Sequence, residues 1–149
     1  MIAIGSDHAG YELKRQVMDY LKEQGYELRD FGAYSLERTS YVLHASLVAQ
    51  SVASGDCERG ILICGTGIGI SIAANKVPGI RAALCSDTYS ARMTRQHNDA
   101  NILCMGARVL GEGLALDIVD AFLDAQYEGG RHQERLNEIA ALEKEVKNR

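Results

Sequence analysis

The stretch Gly60-Ile61-Leu62-Ile63-Cys64-Gly65-Thr66-Gly67-Ile68-Gly69-Ile70 decides the fold class. Its first half, Gly60 to Cys64, is a continuous apolar run of the kind that forms a strand covered on both faces. Its second half places three alternating glycines in five residues, and Ile70 to Lys76 then reads as a helix. A buried strand that passes through a glycine loop into a helix is one βα unit of a parallel sheet.

The same unit recurs on either side. Ile2 to Ile4 reads as a strand, and Tyr11 to Gln24 follows with Leu13, Val17, Tyr20 and Leu21 on one helix face, closed by Gly25. Strands are expected at Tyr26 to Phe31, Ala82 to Cys85 and Asn101 to Met105. Helices are expected at Leu43 to Ala53, Tyr89 to Gln96, Glu112 to Ala125 and about Arg131 to Val146. Five βα units and an extra C-terminal helix predict a five-stranded parallel sheet between helical layers. The 149 residues suit one domain, 1–149, without linker or repeat.

Composition narrows the function. The chain is 46% hydrophobic and 24% charged, as in a soluble globular protein. Its net charge of -4 gives no overall basic field for nucleic acid. No apolar run reaches the roughly 18 residues of a membrane span. The N-terminus enters Ile2-Ala3-Ile4-Gly5 with no basic leader region, so no signal peptide is read. Cys57, Cys64, Cys85 and Cys104 form no CxxC pair and read as reduced thiols of a cytoplasmic protein.

Ligands of such sheets bind beyond the C-terminal ends of the strands. Asp7-His8, Cys64 to Gly69, Ser86-Asp87 and Gly106 to Arg108 fall just past expected strands, which assigns them one sheet edge. His97-Asn98 precedes the fifth strand and is read as part of the same polar edge. Free N–H groups in the glycine loop suit a phosphate or a developing oxyanion. A dinucleotide fingerprint would use Asp87 as its acidic residue, but GxGxxG needs glycine where Ile70 stands. Cys57, Cys85 and Cys104 read as small core hydrophobes. Cys64 differs because it adjoins a helix N-terminus, where a thiolate is favoured and serves as nucleophile or base. A Cys–His pair is a further possibility on these residues. No two ligand-type residues have metal-site spacing, so no metal is expected. Arg131 and Arg135 share a helix face beside His132; they suit a phosphate or, equally, a solvated face with Arg135–Glu138 pairing. Leu136, Ile139, Leu142 and Val146 form the opposite, apolar stripe.

Four segments together carry a resemblance. They are Gly5-Ser-Asp-His-Ala-Gly, Gly60 through Lys76, Arg95-Gln-His-Asn-Asp-Ala-Asn and Gly129-Gly-Arg-His-Gln-Glu-Arg. In this order, and nearly end to end, the chain closely resembles type B ribose-5-phosphate isomerases. That family also holds allose-6-phosphate and galactose-6-phosphate isomerases. The resemblance implies a Rossmann-like three-layer α/β/α subunit, a homodimer or in some members a tetramer, no cofactor and no metal. It implies interconversion of ribose 5-phosphate and ribulose 5-phosphate, with Cys64 as the base between C2 and C1. Thr66 and the amides of Gly65, Gly67 and Gly69 would hold the enediolate. His97 and Asp7 would open the sugar ring, with His8, Asn98 and Tyr41 contacting the sugar. Arg108, Arg131, His132 and Arg135 would hold the phosphate, some of them from the partner subunit. One branch of the family uses a glutamate six residues after the cysteine position; here that residue is Ile70. The family usually reads Tyr-Pro where this chain has Tyr41-Val42-Leu43-His44, which leaves a hexose 6-phosphate open as substrate. The remaining alternative is a nucleotide-binding module without catalysis.

Overall fold

The computed structural model describes residues 1–148. Its elements are β1 (Ile2–Ser6), α1 (Tyr11–Glu23), β2 (Leu28–Asp30), α2 (Tyr41–Ala53), β3 (Arg59–Cys64) and α3 (Ile68–Ala74). They continue with β4 (Ala82–Leu84), α4 (Thr88–Asn98), β5 (Ile102–Gly106), α5 (Glu112–Asp124) and α6 (Arg131–Lys147). All strands are parallel, in the order β2-β1-β3-β5-β4. Chain direction across the sheet reverses between β1 and β3, the switch point where such sheets open a crevice for ligands.

The strands alternate strictly between two cores, as a period of two requires. Ile2, Ile4, Ile61, Ile63, Leu103 and Met105 face α1, α4 and α5. Ala3, Leu62, Cys64, Ile102 and Cys104 face α2 and α3. Three layers result, as the resemblance implied. β3 and β5 are buried on both faces, which is why they read as unbroken apolar runs. Cys64 points into the α2/α3 layer at the end of β3, level with Gly106.

Several boundaries moved by one or two residues: β1 runs on to Ser6, α3 spans Ile68–Ala74, and α4 runs on to Asn98. α2 starts at Tyr41 because the Ser40 hydroxyl accepts from the Val42 N–H and caps it. β2 shortens to Leu28–Asp30 at the sheet edge. The stripe on α6 is only begun by the core: Leu136 is buried, whereas Ile139, Leu142 and Val146 are exposed. The helix packs on α4, and Gly79 N–H donates to Glu143. No helix among the described residues is long and apolar enough to cross a membrane.

Of the buried charged side chains, which include Asp7 and Arg95, Lys14 is the most deeply enclosed. Lys14 of α1 is fully buried, with its ammonium 2.6 Å from Asp30 Oδ1, bonded to the Ala33 carbonyl, and near the rings of Tyr11 and Tyr34. Burial draws this ammonium below the ordinary lysine range, and the Asp30 carboxylate opposes that shift. The contacts pin the β2–α2 connection onto α1. Removing one partner of a buried pair leaves the other uncompensated, so Lys14→Ala should lose about 3–5 kcal/mol in urea unfolding. A loss below about 1 kcal/mol, the level of an exposed pair, would refute this account of the connection.

Candidate active site

The crevice at the switch point is built from three loop beginnings. After β1 comes Asp7, a buried carboxylate whose Oδ1 accepts from the Gly10 N–H at 3.1 Å and so turns the chain into α1. After β3 comes the glycine loop. After β5, the Ala107 and Arg108 N–H groups donate to the carbonyls of Cys64 and Gly65 at 2.9 and 3.0 Å, which ties the two loops together. The four polar stretches read past the strands do share this edge.

Within the glycine loop the three glycines do different things. Gly67 is left-handed (φ +79°), and a Cβ there would meet Leu84 at 2.5 Å and the Met105 backbone at 2.8 Å. Gly69 is required by Tyr41, whose ring would lie 2.7 Å from a Cβ at that position. Only Gly65 is free of close protein contact: its nearest neighbour would be an Arg108 nitrogen at 3.5 Å. The open backbone that a ligand can approach is therefore at Gly65-Thr66, with the Thr66 side chain exposed. Thr66 Oγ1 accepts from the Ile68 N–H, and the Gly67 N–H donates to Cys64 Sγ at 3.2 Å. Cys64 is buried at the loop's base.

The other three cysteines are core residues, as expected. All are buried and unpaired. Burial pushes the Cys85 thiol up to about 11, with Asp87 adding to the shift, and holds Cys104 well above the ordinary thiol range. Asp87, the acidic residue of the nucleotide reading, is the cap of α4. It accepts from the Ser90 N–H at 2.6 Å and the Ser90 hydroxyl at 2.9 Å, bonds that hold its carboxyl below the usual range.

His97 and Asn98 require a correction. They are not on the edge of Cys64. α4 leaves that edge and runs back along the sheet, so its last residues lie beside the beginnings of β4 and β5. There Arg81 bonds the Asn98 carbonyl, and Asn101 bonds the Gly60 N–H. A five-residue strand at about 3.3 Å per residue puts roughly 15 Å between the two edges. The Cys–His pairing is thus excluded for Cys64 and His97 of one chain. A second polar group forms around His97 instead. His132, in the first turn of α6, stacks on it with ring centroids 4.3 Å apart. Glu128 N–H donates to the Gln96 carbonyl, and its carboxylate lies 3.7 Å from His132 Nε2. Arg131 and Arg135 are exposed on the same helix, and Arg135 pairs with Glu138. The candidate residues therefore divide into two half-sites. Asp7, His8, Tyr41, Cys64, Gly65, Thr66, Gly67, Gly69 and Arg108 are at one edge; His97, Asn98, Arg131, His132 and Arg135 are at the other.

Residues 2–139 match the Ribose/Galactose Isomerase family. The chain is 58% identical over 142 residues to ribose-5-phosphate isomerase B of Escherichia coli, covering 95% of each protein. The chain belongs to the Ribose/Galactose Isomerase family. A solved structure of Clostridium thermocellum ribose-5-phosphate isomerase B superposes with a TM-score of 0.97 at 59% identity, covering 97% of this chain and 98% of that one. A D-erythrulose-4-phosphate isomerase of Pectobacterium atrosepticum is 44% identical over 151 residues, covering 99% and 97%. The isomerase fold is thus shared by relatives named for sugar phosphates of different length.

Thr39 is a residue of this isomerase that the sequence did not single out, and His44 was singled out only as part of the Val42-Leu43-His44 departure. The Phe31 carbonyl accepts from His44 Nδ1 (2.9 Å), which fixes a proton there, and Nε2 shares a hydrogen bond with the Thr39 hydroxyl at 3.1 Å. Thr39 in turn clamps His8. Its N–H lies 3.2 Å and its carbonyl 3.3 Å from His8 Nδ1, so Thr39 has a partner for either form of the ring. His44 belongs to the segment that departs from the family pattern. Val42 and Leu43 of that segment are exposed, while His44 turns inward. The Ser40 cap and the contact of Tyr41 with Gly69 fix the start of α2 in this segment. His44→Ala should raise KM for the sugar phosphate about fivefold with little change in kcat, as expected for about 1 kcal/mol of lost positioning. An unchanged KM would remove His44 from the site's support.

Proposed function

We propose that this chain interconverts ribose 5-phosphate and ribulose 5-phosphate by proton transfer between C2 and C1, with Cys64 as the base. The observation that carries the reading is Cys64 at the foot of an open Gly65-Thr66 backbone, in a chain 58% identical over nearly its whole length to a ribose-5-phosphate isomerase B. A thiolate moves the proton, and the loop amides with the Thr66 hydroxyl stabilise the enediolate oxygens. Asp7 and His97 serve ring opening, and His8, Asn98 and Tyr41 contact the sugar. Arg108, Arg131, His132 and Arg135 hold the phosphate as charge-assisted donors.

The division into two half-sites gives this reading its quaternary form. One chain cannot bring His97 to Cys64, so a second chain must supply the α4–α6 half-site. We assign the working unit as a homodimer in which each site combines the Cys64 edge of one subunit with the His97 edge of the other. The exposed Ile139, Leu142 and Val146 on α6 support an added partner, since a lone chain leaves that apolar stripe in water. The reading also places the enzyme in the cytoplasm, in keeping with four free thiols.

Arg131→Ala tests the phosphate role. One charge-assisted bond is worth about 1.5–3 kcal/mol, so KM should rise about 10- to 150-fold. An unchanged KM would reject the assignment. The departure at Val42-Leu43-His44 and the erythrulose-4-phosphate relative favour testing substrate length too. Side-by-side kcat/KM on ribose 5-phosphate, allose 6-phosphate and D-erythrulose 4-phosphate should rank ribose 5-phosphate first.

A further inference from the structure

The α4–α6 corner carries a donor set that sugar-phosphate binding does not by itself require. His97, Glu128 and His132 each offer one ligand atom, and the three atoms lie within 4.8 Å of one another. No spacing in the sequence shows this, because the three residues sit on a helix end, a connection and the next helix's first turn. The corner is nonetheless well fixed. The Glu128 backbone is tied to Gln96, and the His97 and His132 rings are held side by side with 14° between their planes, which places both imidazoles at the corner but leaves one of them to turn before they share an ion. Tetrahedral zinc with bonds of about 2.0–2.1 Å sets its ligand atoms roughly 3.3 Å apart. His132 Nε2 and Glu128 Oε2, at 3.7 Å, are already close to that separation. Closure needs rotation of the exposed Glu128 side chain and a turn of one half-buried imidazole out of the stack, so that both nitrogen lone pairs meet at one point. Arg135, three residues beyond His132, is neutralised by Glu138 and does not oppose a cation there.

We propose that His97, His132 and Glu128 bind one zinc ion, or a similar imidazole-preferring divalent ion, and that the ion competes with the sugar phosphate. Two imidazoles and a carboxylate form a known zinc donor set, whereas magnesium and calcium prefer all-oxygen surroundings. Binding of the ion stands on the geometry alone. The competition rests on the proposed function, which gives His97 and His132 to the substrate.

The test is calorimetric titration of chelator-stripped full-length protein with zinc chloride, paired with inhibition kinetics on ribose 5-phosphate. One ion should bind per chain, magnesium chloride should give no binding, and inhibition should be competitive and reversed by EDTA. Outer-shell partners alone change metal affinity about 10- to 100-fold, so loss of a direct ligand in Glu128→Gln should weaken binding and inhibition at least about tenfold. Cys64→Ala should bind zinc like the unaltered protein. Binding that disappears in Cys64→Ala but survives in Glu128→Gln would assign the ion to the thiol and overturn the site. No saturable binding at all would overturn it as well. Zinc held in a Glu128-dependent way without effect on turnover would keep the ion site and overturn the competition, together with the placing of substrate at this corner.

Discussion

Cys64→Ala should lower kcat on ribose 5-phosphate by about 10²–10⁴-fold, the contribution of a positioned acid–base group, while the fold and substrate binding remain. The side chain is small and sits at a strand end, so its loss removes one sulfur from the α2/α3 layer and leaves the sheet intact. Of the residues proposed for the phosphate, Arg131, His132 and Arg135 lie at the other edge and Arg108 is left unaltered, so the variant should still bind the substrate with an affinity near that of the unaltered protein. Calorimetric binding together with a turnover assay separates the two effects. Cys64→Ser sharpens the result: a hydroxyl keeps the shape and the Gly67 N–H bond but is a far poorer base, and it should fall nearly as far. A variant that kept most of its turnover would remove Cys64 from the chemistry.

The second large effect is a recovery. Cys64→Ala and His97→Ala should each be strongly impaired alone. If each site takes Cys64 from one subunit and His97 from the other, a mixed dimer contains one site with both residues intact. Random reassortment of equal amounts makes about half the dimers mixed, so the mixture should regain about a quarter of the unaltered activity. No recovery after unfolding and refolding the two together, with mixed dimers verified by differential tagging, would mean that each chain builds its own site.

Much of this arrangement was legible in the sequence, for a physical reason. The apolar run of β3 and its glycine loop can form only a covered strand and a tight strand–helix passage, and polar residues after the strands had to gather at one edge. Residues that depend on helix direction were less legible. His97 precedes β5 by only a few residues, yet it sits at the start of that strand because α4 returns along the sheet before β5 begins. The pairing of His97 with His132 depends in the same way on where α5 ends and α6 begins. Lys14 lies in the apolar stripe of α1, and nothing in its spacing announces that Asp30 and the Ala33 carbonyl will close over it. His44 was read as a departure from the family pattern, but its hold on Thr39 appears only once the β2–α2 connection is folded. The Ser40 cap was available to sequence reading and marks where α2 starts.

One measurement tests most directly whether the glycine loop and Cys64 serve sugar-phosphate isomerisation. Chelator-treated, unaltered protein is incubated with ribose 5-phosphate, and the ketose is followed by proton NMR. The account predicts ribulose 5-phosphate accumulating to a constant ratio that is also reached from the ketose side, with no added cofactor. Failure to form any ribulose 5-phosphate, from a folded protein that binds the substrate, would contradict it.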